Sequence, residues 1–284
     1  MGVDGTSAQV EALKKAADVL ARADALLIGA GAGMGVDSGL PDFRGPKGFW
    51  AAYPPYQKLG LDFVALANPR WFTADPALAW GFYEHRLELY RSTPPHAGFA
   101  RLKKWAERKA HGAAVFTSNV DGHFQRAGFA EDQLYECHGS LNWLQCTRFC
   151  GQDIFSAQGV NVAIDTNTMR AQAPLPACPK CGALARPNIL MFNDSDWEAE
   201  RNSAQGQRLD VWLANVDPEM LAIVECGAGT AIPSVRHFCE GLANLRGATL
   251  IRINPREPDV PPGQISIQLG AKEALEKIDA FLKV

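Results

Sequence analysis

The 284-residue chain is 47% hydrophobic and 21% charged with a net charge of −3, an ordinary balance for a globular protein with a sizeable core. The mild negative charge gives no support for nucleic acid as an obligate partner, and no apolar run approaches the about 18 residues of a membrane span. The length suits one large α/β domain carrying a smaller module.

The opening MGVDGTSAQVEALKK has no basic segment followed by an apolar core, so a secretory signal is not expected and a cytoplasmic location is. Val10, Leu13, Ala17 and Leu20 recur at helical spacing and predict an amphipathic helix over 8–22. The apolar run at 25–30 reads as a buried strand that enters glycines 29, 31, 33 and 35. Asp37 or Ser38 is placed to cap or contact that loop, and Pro41 stops a long helix there. Residues 45–75, rich in Pro, Gly and aromatics, read as an irregular cover followed by short helices. Helices follow at 76–92, ending before Pro94-Pro95, and at 96–109.

A strand at 113–117 runs into Ser118-Asn119-Val120-Asp121, and a short segment at 134–137 runs into His138-Gly139. Residues 140–185 break the rhythm with four cysteines and read as an inserted module. The apolar run ARPNILMF, a helix at 197–215, strands at 221–225, 248–253 and 265–269, and a helix at 271–283 complete the chain. Strands alternating with helices predict the α/β class, with a Rossmann-like parallel sheet carrying helices on both faces. A small zinc-binding and helical domain formed by insertions accompanies it. The expected boundaries are 1–45, 110–142 and 186–284 for the Rossmann-like domain, 46–109 for a helical lid module and 143–185 for the zinc module. The polar turns at 31–44, 118–121, 227–230 and 254–257 then line one edge of the sheet, where α/β proteins bind ligands.

A strand running into glycines at a helix start brings backbone N–H groups close to a phosphate, although the same glycines serve an ordinary turn. The usual G-x-G-x-x-G fingerprint fails, because its last glycine falls on Met34 or Val36 and no acidic residue ends a second strand downstream. Cys146-x3-Cys150 and Cys178-x2-Cys181 are two close pairs in a chain with seven cysteines. Four thiolates on two short turns suit tetrahedral structural Zn2+, with a disulfide or free thiols as the competing readings. Cys137, Cys226 and Cys239 read as buried small residues. Five of the six histidines read as surface, helix or capping residues; His138, at a module boundary, is placed for a general base near neutral pH. Asn119 and Asp121 suit turn or capping roles equally well.

Together these motifs resemble the sirtuins, the NAD-dependent protein deacylases, over nearly the whole chain. Gly31 to Arg44 is similar to the family's GAG-I-S-x-x-S-G-I-P-D-F-R, and Thr117 to Gly122 to its T-Q-N-I-D-G. His138-Gly139 stands at its H-G, the cysteine pairs at its zinc module, and Arg186 to Phe192 at its R-P-x-V-V-x-F. The resemblance implies NAD bound between the two domains, with Gly31, Ala32, Gly33 and Met34 toward the pyrophosphate and Asp42, Phe43 and Arg44 toward the nicotinamide ribose. Asn119 is implied to hold the ribose hydroxyls and the catalytic water and Asp121 the nicotinamide amide, with Ser118 beside them among the cofactor contacts. Gly227, Ala228, Gly229 and Thr230, with Asn254, Pro255 and Arg256, serve phosphate and adenine ribose. His138, Asn119 and Asp121 are the implied catalytic set, with His138 deprotonating the ribose hydroxyls. The products are free lysine, nicotinamide and O-acyl-ADP-ribose. Ile189, Leu190 and Phe192 line the site of an acyl-lysine protein or peptide.

Tyr83-x-x-Arg86 resembles the motif of the desuccinylase and demalonylase branch, in which a phenol and a guanidinium on one helix face hold an acidic acyl tail. The competing reading is a core tyrosine and a surface arginine paired with Glu84 or Glu88. Departures are Gly35 for serine, Ser118 for glutamine, Gly-His-Phe for Gly-Leu-His after Asp121, Gly227-Ala228-Gly229-Thr230 for the G-T-S turn, and Phe192-Asn193-Asp194 for F-G-E. They leave two alternatives to deacylation: NAD hydrolysis or mono-ADP-ribosyl transfer on the same fold, and a non-catalytic NAD-sensing module. The sequence fixes neither the acyl group nor an oligomeric state.

Overall fold

The computed structural model describes residues 4–41, 49 and 53–282, the side chains of 4–6, 245 and 246 excepted. In chain order the first strands are β1 (Ala25–Ala30), β2 (Ala113–Thr117) and β3 (Leu134–Glu136). An insertion carries β4 (Gly139–Cys146), β5 (Phe155–Ser156), β6 (Ile164–Asp165), β7 (Arg170–Ala171) and β8 (Ala185–Ile189). The chain returns with β9 (Leu221–Cys226), β10 (Thr249–Ile253) and β11 (Ile265–Ile267). β11-β10-β9-β1-β2-β3 form one sheet, and every pairing in it is parallel.

The period of two along each strand sorts the apolar residues into two cores. Leu26, Ile28, Val115, Val224 and Ile251 face one way, against Leu13, Leu20, Phe99, Leu102, Leu275 and Ile278. Those partners come from helices Asp4–Arg22, Ala97–Ala106 and Ala271–Phe281. Leu27, Phe116, Ile223 and Leu250 face the other way, against Leu209, Leu213, Val235 and Cys239 of helices Glu200–Ala214 and Ser234–Arg246. Coverage on both faces explains why β1, β2 and β9 are buried throughout and read as continuous apolar runs.

The helix Ser234–Arg246 is absent from the sequence reading, although Val235, Cys239, Leu242 and Ala243 stand at helical spacing and are buried. The helix expected at 96–109 is Ala97–Ala106, because His96 caps it. Pro76–Ser92 begins at the Asp75 cap and ends before the prolines, as the pattern predicts.

A third core lies beside the sheet. Helices Pro54–Lys58, Phe63–Leu66, Trp71–Ala74 and Pro76–Ser92 pack Phe49, Tyr53, Tyr56, Phe72, Trp80 and Phe82 against Leu141, Leu144 and Ile189. The run at 185–189 pairs antiparallel with β4, in a three-stranded sheet β5-β4-β8 apart from the parallel one. The indole of Trp80 donates to the Ala185 carbonyl at 2.9 Å, fastening the long helix to this small sheet.

Candidate active site

The sheet order places β2 and β3 on one side of β1 and β9, β10 and β11 on the other. The carboxyl ends of β1 and β9 are therefore the topological switch point, where open α/β sheets bind ligands. Glycine turns leave both ends. Gly33 N–H donates to the Gly227 carbonyl at 3.0 Å, and Gly31 N–H to the Cys226 carbonyl at 3.0 Å. A Cβ on Gly31 would lie 2.7 Å from Ala228 Cα, and one on Gly33 2.8 Å from Gly227 Cα. Gly227 itself has φ +64, and a Cβ there would collide with the Met34 amide. The glycines thus let two loops interlock and keep side chains off the strand ends, which fits a dinucleotide backbone. Met34 is buried in the core, so only its backbone faces the site, whereas Ala32 is exposed. Asp42, Phe43 and Arg44 lie outside the described residues.

Neighbouring elements hold this loop. His96 Nε2–H donates to the Met34 carbonyl at 3.1 Å while its Nδ1 accepts from Gly98 N–H at 3.0 Å. Burial pulls the His96 pKa down and keeps that neutral tautomer. Ser38 Oγ accepts from His96 N–H, and Asp37 accepts from Lys272 N–H at the start of the terminal helix. Both side chains therefore tie this segment to other helices rather than capping the glycine loop itself. Gly35 leaves room that the Leu40 side chain fills, a Cβ there standing 2.8 Å from Leu40 Cδ1.

Across the switch point, Asn119 Nδ2 donates to the Gly31 carbonyl at 3.0 Å and joins the turn after β2 to the glycine loop. Asp121 Oδ1 accepts from His123 N–H at 2.9 Å, so it caps the short helix His123–Arg126. His123 is fully buried and donates Nε2–H to the Thr93 carbonyl, while Phe124 packs on Phe99 and Phe129. The departure at these two positions is a repacking of that helix against the core.

His138 follows β3 at the sheet edge and is half-buried. Its Nε2 lies 3.3 Å from Ser234 Oγ, at the start of the helix Ser234–Arg246. Burial pulls its pKa below the ordinary value, and a backbone contact with Ser118 opposes the shift. The ring is neutral near pH 7, the form a general base needs.

The sequence reading did not identify the network that closes the edge of β3 just before it. Because Cys137 N–H bonds to the Thr117 carbonyl, Glu136 presents its own N–H and C=O outward from the sheet. Gln205 Oε1 accepts that N–H at 3.0 Å, and Asn202 Nδ2 donates to that carbonyl at 2.8 Å. Two side chains of helix Glu200–Ala214 stand where a seventh strand would. The buried Glu136 carboxylate accepts from Arg201 at 2.6 Å, Gln125 at 3.0 Å and Gln205 at 3.3 Å. A carboxylate this buried is tolerable only with such partners.

On the β9–β10 side the Thr230 hydroxyl is engaged by a neighbouring turn. Thr230 Oγ1 donates to Glu257 Oε1 at 2.6 Å, and its N–H to Glu257 Oε2 at 3.2 Å. Ala228 is buried in the core. Buried Asn254 donates to the Ala228 carbonyl at 2.8 Å and accepts from Arg256 and Glu257 N–H, at 3.0 Å each. Pro255 and Arg256 are exposed, and Gly229 is half-buried. This turn offers backbone where the family offers hydroxyls.

At the small-domain end, Tyr83 and Arg86 are both buried on the helix Pro76–Ser92. Arg86 is therefore not the surface arginine of the competing reading. The Tyr83 ring stacks on Phe72 with centroids 5.7 Å apart, and its hydroxyl has no hydrogen-bond partner among the described residues. Burial raises its pKa strongly, so the phenol stays protonated as a donor. Ile189 is buried, Leu190 is 41% exposed, and Phe192 N–H donates to the Ala67 carbonyl at 2.8 Å. Asn193 has φ +56, where asparagine replaces glycine at least cost. Asp194 pairs with Arg186 on both guanidinium nitrogens, with neither side chain reaching solvent. Asn193 and Asp194 thus supply a left-handed turn and a buried acid at the positions where the family has Gly-Glu.

The four cysteine sulfurs lie within 4.8 Å of one another, with Cys146 to Cys181 and Cys150 to Cys178 at 3.6 Å. A tetrathiolate with bonds of about 2.3 Å sets its sulfurs about 3.8 Å apart, so the cluster fits Zn2+ with no open position. Phe149 (φ 49), Gly151 (φ 74) and Gly182 (φ 70) form the two turns. Cys226 and Cys239 are buried, and burial pushes the partly buried Cys137 thiol up to about 12.

A model of the Sir2 family matches residues 31–213. The NAD-dependent protein deacylase 2 of Pyrobaculum aerophilum is 32% identical over 265 residues, covering 92% of each chain. The mitochondrial NAD-dependent protein deacylase sirtuin-5 of Danio rerio is 34% identical over 190 residues, 62% of this chain and 59% of that one. A solved Sir2 homologue–NAD complex superposes with a TM-score of 0.70 at 26% identity, covering 94% of this chain and 93% of that one.

Proposed function

The chain belongs to the Sir2 family, and from that premise we propose how its residues divide the work of an NAD-dependent protein-lysine deacylase. NAD would supply the scissile nicotinamide–ribose bond and the ribose hydroxyl that receives the acyl group; with one water consumed, nicotinamide, free lysine and O-acyl-ADP-ribose are the products. Gly31, Ala32, Gly33 and Met34 with Gly227, Ala228 and Gly229 present backbone to the pyrophosphate. Asn254 holds the turn that meets the adenine ribose, beside Thr230, Pro255 and Arg256, and the resemblance assigns Asp42, Phe43 and Arg44 to the other ribose. Ser118, Asn119 and Asp121 form the nicotinamide side. His138 would accept the proton of the ribose hydroxyl on its neutral imidazole, and Asn119, tied to Gly31, would hold the ribose hydroxyls and the water beside the loop. Cys146, Cys150, Cys178 and Cys181 hold structural zinc that shapes the acyl side.

Tyr83 and Arg86 select an acidic acyl group such as succinyl or malonyl, with Ile189, Leu190 and Phe192 along the lysine. A buried guanidinium beside an unpartnered buried phenol is the observation that carries this choice. We place the protein in the cytoplasm, a reading supported by its seven free cysteines. No described helix is long and apolar enough to cross a membrane.

Mass spectrometry of products from NAD with acetyl, propionyl, succinyl and malonyl peptides tests the reading. O-acyl-ADP-ribose formed fastest from the succinyl or malonyl peptides is expected. ADP-ribose formed equally without peptide would assign NAD hydrolysis instead, and NAD binding without nicotinamide release would assign a sensing module.

A further inference from the structure

Tyr83, Arg86 and Tyr90 stand at i, i+3 and i+7 of one helix and form a single buried stripe. Tyr90 belongs to neither the motif nor the nucleotide site. Yet its hydroxyl oxygen accepts from Arg86 Nε at 3.1 Å and from Nη2 at 2.6 Å. Two donors converging on one oxygen fix the plane of the guanidinium, which also lies over the rings of Phe82 at 5.3 Å and Phe63 at 5.5 Å. Burial raises the Tyr90 pKa, opposed by the Arg86 charge, so the phenol remains neutral at working pH. A neutral oxygen holds a guanidinium in place without cancelling its charge, as a carboxylate in the same position would.

The far end of the stripe is anchored as well. Arg126 Nη1 donates to the Tyr90 carbonyl at 2.6 Å and to the Thr93 carbonyl at 2.8 Å. Arg126 ends the short helix that Asp121 caps. Tyr90 therefore sits between the acyl-reading arginine and the segment assigned to nicotinamide.

We propose that Tyr90 is a specificity-determining positioning residue, which sets Arg86 to recognise the carboxylate of an acidic acyl-lysine. The inference rests on the reading of Tyr83 and Arg86 above and adds a third member to that pair. Its effect is on substrate choice rather than on bond breaking.

The test is a double-mutant cycle on the full chain with Tyr90→Phe and Arg86→Met, measuring kcat/KM for succinyl- and acetyl-lysine peptides and KM for NAD. In the wild-type background, Tyr90→Phe is expected to lower the succinyl-to-acetyl ratio about tenfold, the scale of one hydrogen bond to a charged group. The loss falls on KM for the succinyl peptide. In the Arg86→Met background the same substitution is expected to shift the ratio less than about twofold, because the group it positions is gone. A merely structural Tyr90 would lower both peptides equally and add to Arg86→Met, and either result overturns the proposal. An unchanged ratio in Tyr90→Phe, from a wild type that prefers succinyl, overturns it alone. A wild-type ratio at or below one overturns the acidic-acyl reading and this inference with it.

Discussion

The two ends of the site are built from different materials. At the switch point the nucleotide half is made of backbone: Gly31, Gly33 and Gly227 interlock, and Asn119 and Asn254 serve the loops through their carbonyls. At the other end the acyl half is made of side chains, a buried stripe of Tyr83, Arg86 and Tyr90 within an aromatic core. A site made of backbone tolerates the loss of the family's hydroxyls at Ala228 and Gly229, because the amides remain. A site made of side chains changes its substrate with a single replacement. On the proposed assignment, cofactor identity rests on the fold, and acyl choice on a few residues of one helix.

The largest expected effect breaks the acyl half alone. Structural zinc contributes on the order of 10 kcal/mol or more to folding a small module, so chelation or Cys178→Ser should unfold the 139–189 region. Hydrogen exchange is expected to show loss of protection in β4 and β8 while β1, β2 and β9 keep theirs; simultaneous melting of both would unite the halves. Next comes Gly227→Ala, which forces a Cβ onto the Met34 amide at a left-handed φ. A cost of about 2 kcal/mol or more is expected, read as a lower Tm and a raised KM for NAD. The succinyl-to-acetyl ratio should hold; a changed ratio would blur the comparison.

Gln205→Ala removes the acceptor on Glu136 N–H at the outer edge of β3. Leaving that buried donor unpaired costs about 1–3 kcal/mol. Poorer orientation of His138 should appear as a fall in kcat larger than any change in KM; equal losses in both would reduce Gln205 to a packing role.

The smallest effect is in pH. Burial holds the His138 pKa below its ordinary 6.5, so its protonation favours the unfolded chain. The stability from that burial is present above pH 6.5 and is lost as pH falls through the lower folded value. The acid limb of kcat/KM is expected below pH 6.5. A limb centred above 6.5 would contradict the assignment of that limb to the buried His138 imidazole.

Much of this was legible in the chain. The Asp75-Pro76 start and the Pro94-Pro95 stop bound a helix to the residue, and continuous apolar runs marked the strands because parallel strands are covered on both faces. The cysteine pairs were legible because metal spacing is local. What escaped depends on distance in sequence. Glu136 meets Gln205 sixty-nine positions away, and Thr230 is engaged by Glu257, twenty-seven positions on. Asn193 looked like a plain break in the family pattern, and only the fold shows its φ of +56, the left-handed region where glycine and asparagine are both at home. The helix Ser234–Arg246 was missed although its apolar spacing was visible, because buried Arg236, which donates to the Ala228 carbonyl, interrupts the pattern with charge.

The division into a backbone half and a side-chain half is tested most directly by Arg86→Met, assayed with succinyl- and acetyl-lysine peptides at varied NAD. Removing a buried charge-assisted contact of about 1.5–3 kcal/mol should lower the succinyl-to-acetyl ratio about 10- to 100-fold, with KM for NAD unmoved. Equal losses on both peptides together with a raised KM for NAD would contradict the account.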